Sequence, residues 1–150
     1  MTAQGALAEI YNFRWCAPDL ASAGQPLADE FSLLAQAGFE VVIDLALLDA
    51  DYAIAEEPDL VRALGMEFIH IPVIWENPTA QDFQCFCAAM RRCRGRKIFL
   101  HCAANMRVSV FLALYRILEL GWPRAAALAE IAAIWHPNAQ WQAFIEQQLA

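Results

Sequence analysis

The sequence predicts an α/β fold with a central, mostly parallel sheet flanked by helices. Three observations predict it. Short β-branched runs alternate with longer helical patterns, as in βαβ units. The runs over 41–45 (VVIDL), 66–73 (MEFIHIPV) and 97–101 (KIFLH) are bounded and apolar, as buried strands are. Glycines 38, 65, 95 and 121 stand where helical patterns stop.

In chain order, 10–14 (IYNFR) reads as an edge strand and 20–24 as a second short strand, ended by Gly24-Gln25-Pro26. Pro26 suits the first residue of a helix, with Leu27, Phe31, Leu34 and Ala35 on one face as far as Ala37. A loop over 49–53 follows the 41–45 strand. Pro58 then opens a helix that presents Leu60, Val61 and Leu64. The 66–73 strand runs into a loop at 75–78, where Asn77-Pro78 disfavours both helix and strand. Thr79 caps a helix to about Arg94. After the 97–101 strand comes a loop at 102–107, then a helix from about Val108 to Leu120. Pro123 starts another, and the last begins at Pro137 or Asn138. No repeat, low-complexity tract or linker interrupts the pattern, so 1–150 reads as a single domain.

At 59% hydrophobic and 18% charged residues, long disorder is excluded. A net charge of −7 disfavours a DNA or RNA partner, whose affinity rests on Lys and Arg meeting phosphates. Any anion site must then be a local positive pocket. Apolar stretches are broken by Asp, Arg or Glu well before the ~20 residues a membrane helix requires. The N-terminus has no basic region followed by an apolar run, so no signal peptide is expected. Five cysteines with no Cys-x-x-Cys pair suit reduced thiols in a cytoplasmic protein.

The segment KIFLHCAANMRVSVFLALY carries the chemistry. A strand ends at His101, Cys102 follows at once, four residues intervene, and Arg107 precedes a long apolar helix. Loops after such strands open at the carboxyl edge of the sheet, where α/β folds bind ligands. Inward-facing N–H groups over 103–107 and the positive helix end make an anion cradle, and the Arg107 fork can hold two phosphate oxygens. A thiol in that setting is expected to fall from about 8.5 to about 3.5–7.5 and to act as a nucleophile. Ser109 is placed to hydrogen-bond the sulfur, or else to cap or pack in the first turn.

HCAANMRVS resembles the signature loop of the protein tyrosine phosphatase superfamily: His-Cys, five residues, Arg, then Ser or Thr. SAGQP, a helix, GFEVVIDL and GMEFIHIPV extend the resemblance to the small bacterial dual-specificity-like branch known as beta-lactamase-hydrolase-like phosphatases, from about Leu20 to about Leu120. The resemblance implies a cysteine-phosphatase-like fold and no cofactor. It also implies that Cys102 attacks phosphorus, Arg107 binds the phosphoryl oxygens with the loop residues Ala103, Ala104, Asn105 and Met106, and a separate acid protonates the leaving group. The loop departs from the family by one residue, which removes one N–H and shifts Arg107 relative to Cys102. The Asn105 amide either donates to the anion or braces the loop. The acid belongs in IPVIWENPTAQD: Glu76 first, on a loop free to move over the pocket, and Asp82 second, since Asp82 also suits a helix first turn.

Other candidates have plainer readings. His101 braces the loop through a backbone carbonyl. Cys16, Cys85, Cys87 and Cys93 lack metal-ligand spacing and read as structural. His70 reads as a hydrogen-bonded core residue, His136 as a cap, and Asp44 as a loop brace. The basic run Arg91, Arg92, Arg94, Arg96, Lys97 reads as a solvated helix end. Trp135, Trp141 and Phe144 read as core. The expected activity is hydrolysis of a phosphomonoester, on a phosphorylated protein or a small molecule, through a phosphocysteine. The alternatives are a phosphate-binding pseudophosphatase and, less favoured, a rhodanese-like sulfurtransferase.

Overall fold

The structure is a computed structural model that describes residues 3–150. Its elements run α1 (Ala3–Leu7), β1 (Arg14–Ala17), β2 (Leu20–Ala23), α2 (Glu30–Gln36), β3 (Val41–Asp44), α3 (Glu57–Ala63), β4 (Glu67–His70), α4 (Ala80–Arg92), β5 (Ile98–His101), α5 (Met106–Leu118), α6 (Arg124–Ala132) and α7 (Ala139–Leu149). The five strands form one sheet in the order β1-β2-β5-β3-β4, with β1 antiparallel to β2 and the other pairs parallel.

Strand periodicity decides what each side chain meets. In β3, Val41 and Ile43 pack with Phe83, Phe86, Phe111 and Trp141 under α4, α5 and α7. Val42 packs with Phe31, Val61 and Phe99 under α2 and α3. In β5, Ile98 and Leu100 join the first set and Phe99 the second. The alternation continues past the strand: His101 meets Phe31 of α2, whereas Cys102 belongs with the α5 layer. Register then aligns Ala23, His101, Asp44 and His70 across the C-terminal edge of four strands.

Local chemistry sets the helix ends. Thr79 and Asp82 form a reciprocal capping box at α4, and Gly95 takes φ 88° just beyond it. Asn138, not His136, caps α7 by accepting the Trp141 N–H. Two further expectations are corrected. The edge strand is 14–17 rather than 10–14, because Ile10 closes a turn on Leu7 and is buried, and Asn12 is left-handed at φ 52°. The helix expected from Pro26 starts only at Glu30, since the Gln25 amide is tied to the 102–107 loop.

The basic run is not simply solvated. Arg91 pairs with Glu119, Arg92 and Arg96 pair with Glu67, and Lys97 donates to the Ala37 carbonyl at 2.7 Å over the Trp15 and Phe39 rings. Among the described residues no helix is long and apolar enough to cross a membrane.

Candidate active site

The loop from Cys102 to Arg107 sits at the C-terminal end of β5, and its carbonyls are turned outward by partners elsewhere in the chain. The Ala103 oxygen accepts from the Gln25 N–H at 3.0 Å, and the Ala104 oxygen accepts from Asn12 Nδ2 at 3.0 Å. Asn105 O takes the Ser109 N–H at 3.0 Å, and Met106 O takes the Ser109 hydroxyl at 2.6 Å. Gly24 allows this closeness: a Cβ there would stand 2.6 Å from the Ala103 oxygen and 2.7 Å from the Tyr11 ring. With the carbonyls spent outside, amides face in. The N–H groups of Val108, Ala104 and Arg107 donate toward the Cys102 sulfur.

Asn105 occupies the left-handed region at φ 66°, which Asn tolerates. Its Nδ2 donates to Asn12 O at 2.9 Å and to Ser22 Oγ at 3.0 Å. Of the two roles open to it, the geometry supports the brace. The side chain does not join the cavity wall.

The cavity over the loop holds about 420 Å³ and is lined by Leu47, Ala50, Tyr52, Trp75, Glu76, Cys102, Ala103, Ala104, Met106 and Arg107. Arg107 is 5% exposed; its Nη1 donates to Val73 O at 2.7 Å and its Nη2 to the Tyr52 hydroxyl at 3.2 Å. Tyr52 also accepts the Leu47 N–H at 3.4 Å, so its own proton stays free for a ligand. Tyr52 was missed from sequence, where it is one residue in an acidic loop.

Glu76 is exposed and lines the cavity. The backbone of its loop is held from α7 and the segment before it. Trp75 packs between Trp135 and Trp141, Trp141 Nε1 donates to Trp75 O at 3.0 Å, and Gln140 donates to Glu76 O. Asp82 is fully engaged in the capping box, accepting the Thr79 N–H at 3.1 Å. Ser109 is also corrected. Its hydroxyl donates to Met106 O and accepts from Trp135 Nε1 at 3.0 Å, and no hydrogen bond joins it to the sulfur.

Beneath the loop lies a feature that the sequence hid. His101 Nε2 meets Glu57 Oε2 at 2.5 Å, and its Nδ1 lies 3.6 Å from Asp44 Oδ1 and 3.3 Å from Cys102 O. All three side chains are buried. Burial opposes charge on His101, but the Asp44 charge, then the Glu57 hydrogen bond and charge, outweigh it and push the imidazole up to about 9. Burial raises Asp44, against the pull of His101, and its Oδ2 has no partner. Ligand atoms of the three lie within 4.8 Å of one another. The carboxylates address different nitrogens of one ring, which suits an ion triad, hydrogen-bonded on the Glu57 side, better than one shared cation.

The Cys102 thiol is 1% exposed, and burial pushes it above its ordinary value despite the Arg107 charge and the three amides that pull it down. The expectation of a lowered value counted the arginine and the helix end, but not the loss of water.

A family profile described as "DSP-PTPase phosphatase fused to NAD+ Kinase" matches residues 19–144. The chain belongs to this phosphatase family. A crystal structure of a DUF442 phosphatase from Shewanella putrefaciens CN-32 aligns with a TM-score of 0.86 at 35% identity, covering 96% of this chain and 95% of that one. The beta-lactamase hydrolase-like protein of Xylella fastidiosa (strain Temecula1) is 28% identical over 109 residues, 67% of this chain. The match spans only 24% of that protein's length. TpbA of P. aeruginosa aligns with a TM-score of 0.74 at 20% identity, covering 91% and 84% of the two chains, which shows the fold; it has also been solved with phosphotyrosine bound. In this DSP-PTPase member, the mixed sheet places the cysteine loop at a strand end facing a cavity, as the sequence led one to expect.

Proposed function

We propose that the chain is a cysteine-dependent phosphatase acting on a phosphomonoester with one phosphoryl group and an apolar, aryl-type body. The supporting observation is the Cys102 sulfur at the floor of the cavity, facing loop amides whose carbonyls are tied outside. Arg107 is the single basic residue on that wall, beside Tyr52, Trp75, Leu47 and Met106. One cation suits one phosphoryl group, and the apolar walls suit a ring. The phosphotyrosine complex of TpbA points the same way.

In the proposed reaction Cys102 Sγ attacks phosphorus and the P–O ester bond breaks. Glu76 gives its proton to the departing oxygen. Water then attacks the phosphocysteine, Glu76 takes back a proton, the S–P bond breaks and inorganic phosphate leaves. A phosphate ester loses its second proton near about pH 6. A neutral thiol meeting the dianion therefore carries the same proton count as a thiolate meeting the monoanion. The buried thiol can hand its proton to the substrate on binding. Arg107 gives up Val73 O or Tyr52 to reach two phosphoryl oxygens, and Tyr52 donates to a third.

Hydrolysis of p-nitrophenyl phosphate by reduced protein, lost in Cys102→Ser and blocked by vanadate, is the expected result. No turnover between pH 5 and pH 8 would refute catalysis. A second reading, an anion-binding module without chemistry, is favoured by one observation: Arg107 is already held by Val73 and Tyr52. Calorimetric binding of inorganic phosphate, abolished in Arg107→Ala, without hydrolysis would decide for that reading.

A further inference from the structure

A second cavity, of about 260 Å³, lies at the other end of the sheet, between the β1–β2 turn, the α4–β5 turn and the C-terminal end of α5. Its cations are Arg94, Arg96 and Arg116, and Asp19 is the one acid on its wall. Arg96 is engaged with Glu40 and Glu67. Arg94 is exposed and, among the described residues, has no side-chain hydrogen bond or ion pair.

Arg116 is the unusual member. It is 6% exposed, yet among the described residues no carboxylate lies within ion-pair distance of it. Its guanidinium lies over the Trp122 ring at 4.3 Å, and Nη2 donates to the Cys16 carbonyl at 3.2 Å. That bond uses one of its several N–H donors. A buried cation without a counter-charge is costly and is normally completed by an anion. Among the described residues neither Arg94 nor Arg116 has a carboxylate within ion-pair distance, so with one exposed aspartate on the wall the cavity is locally positive, although the whole chain carries −7. Met90, Tyr115, Trp122, Leu20 and Ile98 make the rest of the wall apolar.

We infer that this cavity binds a small organic anion: a single carboxylate or phosphate head on Arg116 and Arg94, with an apolar body against Trp122 and Met90. The head completes the counter-charge that Arg116 lacks, and the cation–π contact holds the guanidinium flat to receive it. The inference is independent of the Cys102 chemistry. The two cavities occupy opposite ends of α5, which carries Arg107 in its first turn and Arg116 in its last.

The test is a titration of the native full chain with phenylacetate, read by the Trp122 indole N–H in 1H–15N spectra and assigned with Trp122→Phe. Saturable movement of that signal is expected, weakened about tenfold in Arg94→Ala, a surface change that should not disturb folding. Neutral 2-phenylethanol should leave the signal in place, whereas inorganic phosphate should move it only weakly. Arg116→Met, checked for cooperative thermal unfolding, should abolish the response. A still Trp122 signal overturns the inference, and so does a response of unchanged affinity in Arg94→Ala or one matched by 2-phenylethanol. Movement confined to residues around Cys102 overturns it as well.

Discussion

Replacing Glu57 by glutamine probes the ion triad beneath the loop. His101 is pushed from 6.5 up to about 9 in full burial. At about 1.4 kcal/mol per pKa unit, this corresponds to about 3 kcal/mol of stability. Below 6.5 the imidazole is protonated in folded and unfolded chains alike, and the contribution is complete. Between 6.5 and about 9 only the folded chain keeps the proton, so stability falls as pH rises, and above about 9 the contribution is gone. Asp44 acts in the same direction: burial raises it, so the folded chain keeps a proton that the unfolded chain loses near 3.8. Urea unfolding of the native protein should therefore cost about 3 kcal/mol less at about pH 9.5 than at about pH 6. Glu57→Gln should flatten part of that slope, the Asp44 charge keeping the rest. At about pH 6 it should also lose about 3 kcal/mol or more, as a buried pair does when one partner is removed. The imidazole proton of His101, followed by long-range 1H–15N spectra, should titrate lower in the variant. An unchanged slope, or native stability that grows from pH 6 to pH 9, refutes the reasoning.

Further outcomes follow from the loop. Gly24→Ala sets a Cβ 2.6 Å from a backbone oxygen, so the ring must shift; about 1–3 kcal/mol of stability and most phosphate binding should be lost, by denaturation and calorimetry. Ser109→Ala leaves the Trp135 indole without its acceptor, so about 1 kcal/mol of stability should go while turnover of an aryl phosphate changes less than about twofold. A hundredfold drop would place that hydroxyl on the sulfur after all. Tyr52→Phe should weaken phosphate binding about fivefold, corresponding to about 1 kcal/mol for one hydrogen bond; unaltered affinity would remove Tyr52 from the site. Cys102 in the ligand-free protein should alkylate faster as pH climbs into the alkaline range, because burial holds the thiol above its ordinary range. A rate already flat below neutral pH would contradict this.

The sheet was legible because its apolar runs carry the two-residue alternation of buried strands, and Val41, Val42 and Ile43 go to the faces that this period assigns. The Cys102 and Arg107 placement was legible because strand, loop and helix are contiguous. The errors arose where distant segments decide. Ser109 differs from the family pattern because Val108, not a hydroxyl residue, follows Arg107. At about 100° per residue, the next position turns toward Trp135 instead of the sulfur. Glu57 and Tyr52 lie 44 and 55 residues from their partners, and no local period signals such pairs. Ile10 was taken for a strand residue because an apolar residue after a short helix looks the same as one opening a strand.

Residues 11 and 12 hold the Cys102–Arg107 ring in shape, and residues 140 and 141 hold the loop that carries Glu76. Segments remote from each other in sequence thus brace the two parts of the site that the proposed reaction uses. A change that unseats residues 11–12 would therefore loosen the anion cradle, and one that unseats residues 140–141 would loosen the loop of Glu76.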